Sequence, residues 1–150
     1  MMKARWIGLI LCGLPASAWA NSCAPVSAPH PAKTVQAMYS AAMAGDKAGM
    51  LATFAPSFYA FDGGRRYSGT ELAGLVDMLK ATHRTMTWTV NAPEEHVVCD
   101  VALVTWDNRG TSTDTSGTKK LEWLESSVER WEGGAWKLVF FHSTLVPSAN

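Results

Sequence analysis

An α+β domain, with three N-terminal helices packed on one face of a strongly curved antiparallel sheet, is predicted by three observations. Apolar residues recur at helical spacing in the first half of the chain, the hydrophobic period falls to two from Thr85 onward, and a Gly-Gly pair near the C-terminus closes a long hairpin. Helices gathered at one end and consecutive strands at the other cannot build the alternating units of a parallel sheet.

Residues 1–20 read as a secretory leader. Lys3 and Arg5 give a basic start, Trp6 to Leu14 is an apolar run too short to anchor in a bilayer, and Ala18-Trp19-Ala20 has the small-x-small pattern of a cleavage site. The expectation is an exported protein, periplasmic or secreted, with no membrane anchor. Its 13 basic and 13 acidic residues lose Lys3 and Arg5 with the leader, leaving a formal charge of −2 and no basic face for nucleic acid. Cys23 and Cys99 remain, an even number in an oxidising compartment, free either to pair or to stay as two thiols.

Residues 21–31, rich in Pro, Ser and Ala, read as an extended tail, 32–147 as the folded domain and 148–150 as a C-terminal tail. Val35, Met38, Tyr39, Ala42 and Met43 make one apolar helical stripe, ended by Gly45 as the left-handed C′ residue. Asp46 caps a short second helix carrying Met50, Leu51 and Phe54 and closed by Pro56. Ser57 to Phe61 and Arg65 to Tyr67 read as short strands around an Asp62-Gly63-Gly64 turn. Ser68 and Glu71 have capping-box spacing, starting a third helix with Leu72, Leu75, Val76 and Leu79 that ends near Lys80. Thr85 to Val90 alternates as a strand until Pro93 interrupts it, Val97 to Asn108 reads as a longer strand, and Arg109 to Thr118 as a hairpin loop.

The last hairpin is the most informative stretch. With Gly133-Gly134 as a two-residue primed turn, Trp136 faces Trp131, Leu138 faces Glu129, Phe140 faces Ser127 and His142 faces Glu125. If Thr115-Ser116 is also a two-residue turn, Trp106 faces Glu125 and Arg109 faces Glu122, so Trp106, Glu125 and His142 form a row. Both faces of the hairpin carry apolar side chains, which predicts a pocket or core on one side and a subunit contact on the other.

The order and spacing of several short motifs over residues 32–145 resemble the nuclear transport factor 2-like superfamily. The matching pieces are Tyr39-Ser40-Ala41-Ala42 with Gly45-Asp46, Phe58 to Gly64 followed by Tyr67-Ser68-Gly69, Asp100 to Val104, Leu124-Glu125-Ser126, and Gly134 to Leu138 with Phe141-His142-Ser143. The resemblance implies a cone of helices and bent sheet, open at one end to an apolar pocket and commonly dimeric. That fold hosts isomerases, cyclases, dehydratases and non-catalytic binding domains, so function must come from the site. Asp62 corresponds most nearly to the general base of ketosteroid isomerases. Their oxyanion pair, a tyrosine and a protonated aspartic acid, has no matching motif here, because Tyr39 and Tyr59 stand in other local contexts.

Three residues are therefore candidates for acid–base chemistry: His142 as acid or base, Glu125 orienting it, and Asp62. A carboxylate fixes a histidine's tautomer and pulls its pKa upward, which suits proton transfer, although a structural ion pair does the same. Asp62 beside Gly63 is equally an ordinary turn residue. The expected ligand-lining residues are Tyr39, Phe54, Tyr59, Trp88, Trp106, Trp123 and Phe140, the tryptophans among them being three of the five left after the leader's Trp6 and Trp19. His30, His83, His96 and His142 are dispersed, no phosphate loop or nucleophile elbow is present, and neither a metal nor a cofactor is expected. The reading is a domain that binds a small apolar or aromatic molecule, with isomerase-, cyclase- or dehydratase-type proton transfer. Its alternative is a non-catalytic dimeric binding or protein-interaction module, and on either reading a homodimer through the sheet is expected.

Overall fold

The structure is a computed structural model and describes residues 23–147; the expected leader and the residues 148–150 lie outside the described residues. The elements run α1 (Ala32–Ala44), α2 (Lys47–Ala52), β1 (Phe54–Asp62), β2 (Arg65–Ser68), α3 (Gly69–Ala81), β3 (Thr85–Val98), β4 (Val101–Asp114), β5 (Gly117–Glu132) and β6 (Ala135–Leu145). The strands form one six-stranded sheet in the order β2-β1-β6-β5-β4-β3.

The helix signals act as expected. Gly45 is left-handed at φ 67°, Asp46 accepts from the Gly49 N–H at 2.8 Å, and Ser68 with Glu71 forms a reciprocal capping box. Val35, Met38, Tyr39 and Ala42 of α1, with Leu72, Ala73 and Val76 of α3, are buried against the inner face of the sheet, where Val104, Leu138 and Phe141 complete the core.

Three departures from the sequence reading matter. The sheet is mixed rather than wholly antiparallel, since β1 runs parallel to β6 and pairs Asp62 with Ser143. Phe54 and Pro56 belong to β1, and Pro56 falls where the β1–β6 register is interrupted between Phe54 and Tyr59, so the proline removes no ladder donor there. The stretch Val97 to Asn108 is two strands, because the chain turns at Cys99-Asp100 with Cys99 at φ 57°, a conformation that no glycine announced.

Besides the irregularity between Phe54 and Tyr59 of β1, two bulges bend the sheet. β3 carries an extra residue between Asn91 and Glu94, where Ala92 has φ 44° beside Pro93. β6 carries the other at Val139, between the pairs Glu129–Leu138 and Val128–Phe140. Gly110 stands opposite Trp88, and a Cβ there would collide with the Thr87 carbonyl, so only glycine lets β3 and β4 approach at that point.

The segment before α1 is tied across the far end of the sheet. Cys23 and Cys99 form a disulfide over a separation of 76 residues, the Ala24 N–H donates to the Cys99 carbonyl, and the Trp136 indole donates to the Pro29 carbonyl at 2.9 Å. Glu95 accepts from the Ala32 N–H at 2.8 Å, satisfying one of the free donors at the start of α1.

Candidate functional site

Register places the site. From the Gly-Gly turn the pairing runs as expected through Trp136–Trp131 and Leu138–Glu129; the extra residue Val139 then advances β6 by one. Side chains on a strand alternate, so that single residue exchanges the faces of everything after it. Phe141 and Ser143 point inward, and His142 points out. Ser143 rather than His142 lies opposite Glu125, and the inner row across β1, β6, β5 and β4 is Asp62, Ser143, Glu125 and Trp106. The expected Glu125–His142 pair is therefore overturned. The second hairpin does turn at Thr115-Ser116, and Trp106 faces Glu125 as its two-residue turn requires.

Glu125 is only 6% exposed and is surrounded by donors. The Tyr39 hydroxyl donates to its carboxylate at 2.6 Å, the Asn108 amide at 2.7 Å and the Ser143 hydroxyl at 2.8 Å. The Asn108 amide is itself oriented, its oxygen accepting from the Thr89 N–H at 3.0 Å. Burial pushes the Glu125 pKa up, and these donors pull it part of the way back; the nearby Trp106 indole also favours the anion although it lies outside hydrogen-bonding geometry. The Tyr39 hydroxyl is held well above its usual range by burial and then by the Glu125 charge, so it stays protonated as a donor.

Asp62, at the end of β1, is half-buried on the same face. Burial raises its pKa, opposed by the Gly63 N–H and by the charge of His142 beyond the sheet. No side chain among the described residues donates to it. A third carboxylate, Glu129, sits two inward positions from Glu125 on β5 and is fully buried. Its Oε1 accepts from Ser127 at 3.3 Å, its Oε2 has no partner, and burial raises its pKa to about 8.

A cavity of about 230 Å³ opens beside the row. Asp62, Glu125, Tyr39, Trp88 and Trp123 line it, together with Phe141, Ser143 and apolar side chains of α1, α2 and α3. The other expected lining residues lie elsewhere. Phe54 stacks on Phe58 in the core at 4.0 Å between ring centroids, and Trp106 is buried against Phe141. Tyr59 and Phe140 stand on the outer face, where they cluster with Phe61 under the Arg66 guanidinium, 4.0 Å above the Tyr59 ring. His142 is exposed there beside Phe140.

Asn108 and Ser143 are the site residues that the sequence reading missed. Asn108 continues the inward alternation of Ala102, Val104 and Trp106, a signal that was available. Ser143 depends on the bulge. Among the described residues, no group of three or more His, Cys, Asp or Glu is placed to hold a metal ion.

No family model and no curated protein matches the chain. Solved structures do. A proposed dehydratase of the NTF2-like family from Streptomyces avermitilis superposes with a TM-score of 0.67 at 18% identity, covering 78% of this chain and 94% of its own. A ketosteroid isomerase-like protein from Erwinia carotovora gives 0.64 at 18%, covering 78% and 94%. The CaMKII hub homology domain of Chlamydomonas reinhardtii gives 0.66 at 20%, covering 77% and 95%. The chain thus has the NTF2-like fold, the α+β cone that its sequence resembled, and at such identities the likeness speaks for architecture alone.

Proposed function

We propose that this protein is an exported domain that binds one small apolar or aromatic molecule in its cone and moves a proton on it. The observation that carries the reading is Asp62, a carboxylate facing an apolar cavity with no side-chain donor to occupy it and with a pKa raised toward the working range of a general base. Glu125, its acceptor sites filled by Tyr39, Asn108 and Ser143, is the fixed polar wall beside that base rather than the exchanging group. His142 has no part in the chemistry.

Size limits the ligand. An engineered cavity of about 150 Å³ takes up benzene, so about 230 Å³ suits one or two rings and not a four-ring skeleton. The dehydratase and isomerase-like neighbours support proton transfer as a chemistry this cone accommodates. Export is supported by the leader pattern and by a disulfide, which persists in oxidising compartments. Mass spectrometry of the native protein should find a co-purifying molecule of this size, lost from Asp62→Asn but retained by His142→Gln. Retention by both variants, or loss only from His142→Gln, contradicts the assignment.

A second reading rests on a separate observation. Leu103, Leu124 and Phe61 are 43%, 58% and 42% exposed on the outer face, more apolar surface than a solvated sheet needs. A second copy packed there would make a dimer, and the hub-domain neighbour lends support to a self-associating module. Leu124→Lys should shift sedimentation from dimer to monomer; an unchanged value removes this reading.

A further inference from the structure

We infer that the cavity selects an organic cation, an ammonium group carried on a small ring. This rests on the cavity being a ligand site, and it adds the charge that the ligand bears.

The inference comes from what the wall contains. Tyr39 stacks on Trp88 with ring centroids 5.4 Å apart and meets Phe141 edge-on at 6.3 Å, and Trp123 adds a further aromatic surface. Aromatic faces carry negative potential and attract cations, most strongly where water is excluded. Two carboxylates, Asp62 and Glu125, border the same space from strands two places apart, about 10 Å backbone to backbone. The cation on the cavity's lining, Arg84, stands at the rim, where its Nη2 lies 3.2 Å from Asp114 and its side chain is 46% exposed. It therefore leaves the acidic interior uncompensated. An anionic ligand would meet two carboxylates in a wall of aromatic and apolar side chains that offers no compensating charge. A neutral ligand would gain only apolar burial. An ammonium gains both electrostatic contributions while its ring fills the apolar part of the space.

The three donors already on Glu125 leave Asp62 as the direct partner of the charge. Glu125 acts at longer range: burial disfavours its charged form and the three donors favour it, as would a bound cation. A quaternary ammonium, which has no N–H to donate, isolates the charge from hydrogen bonding.

The test compares benzyltrimethylammonium with neopentylbenzene, its neutral isostere of nearly the same shape. Binding is read at pH 8 by quenching of tryptophan fluorescence in the intact protein. The cation should bind at least ten-fold more tightly, and Asp62→Asn should cut that preference several-fold while leaving the melting temperature unchanged. If the two bind equally, or the neutral compound binds better, the charge inference is overturned and the cavity's role as an apolar ligand site stands. If neither binds at millimolar concentration, both the inference and the ligand-site reading fail. Trp88→Leu separates cage from simple burial: it should weaken the cation more than the isostere, and equal weakening counts against the cage.

Discussion

Glu125 and Glu129 project from the same face of β5, both buried and both raised in pKa by burial, yet their surroundings are opposite. Glu125 borders the cavity and accepts from three side chains drawn from α1, β4 and β6, whereas Glu129 lies away from it with one oxygen unpartnered. A buried acceptor without a donor costs folding free energy that a satisfied one does not. The same residue type on one strand face thus anchors a polar network at one position and weakens the core at the other. Donors supplied from neighbouring elements, not burial, decide which.

The largest effect expected from this contrast follows Glu125→Leu. It strands the Tyr39, Asn108 and Ser143 donors, each costing about 1–3 kcal/mol if left unsatisfied, so thermal unfolding should show a loss of roughly 3 kcal/mol or more. A loss below about 1 kcal/mol, within the range of ordinary surface changes, would mean that the network does not hold the sheet together.

Glu129→Gln should act in the other direction, and with pH. Glu129 holds its proton more tightly folded than unfolded, so the stability it contributes is complete below the ordinary carboxylate range, fades as pH rises toward about 8 and is gone above it. The variant, which cannot ionise, should therefore gain on the parent protein by a few kcal/mol between pH 5 and pH 9. Parallel stability curves in urea across that span would contradict an unpaired buried acid.

A smaller effect is expected from Tyr39→Phe, which removes one donor of three and should cost about 1 kcal/mol, since Asn108 and Ser143 still serve the carboxylate. A cost as large as that of Glu125→Leu would make Tyr39 the sole support of the network.

Most of the architecture was legible because it rests on local chemistry. Gly45 with Asp46, Ser68 with Glu71, and the positive φ of Gly133 and Gly134 each act within a few residues, and each is found where the sequence placed it. The hairpin register followed from its turn as far as Leu138. The site was only half legible, because it depends on Val139. In Val139-Phe140-Phe141 every residue is apolar, so either phase of the alternation fits and nothing local marks the extra residue. The mixed character of both hairpin faces was the trace of that change of phase. Read as two half-strands of opposite phase, it puts Trp136, Leu138, Phe141 and Ser143 inward, as found. The parallel β1–β6 pairing and the turn at Cys99 were hidden for a different reason: one joins strands far apart in the sequence, and the other is a left-handed conformation at a residue type that rarely adopts it.

The most direct measurement titrates benzyltrimethylammonium into Asp62→Asn and His142→Gln alongside the unaltered protein. The inward Asp62 and outward His142 predict an affinity reduced at least several-fold in the first variant and unchanged in the second. Unchanged binding by Asp62→Asn with loss in His142→Gln would mean that the strand carries no extra residue at Val139 and that the histidine faces the cavity.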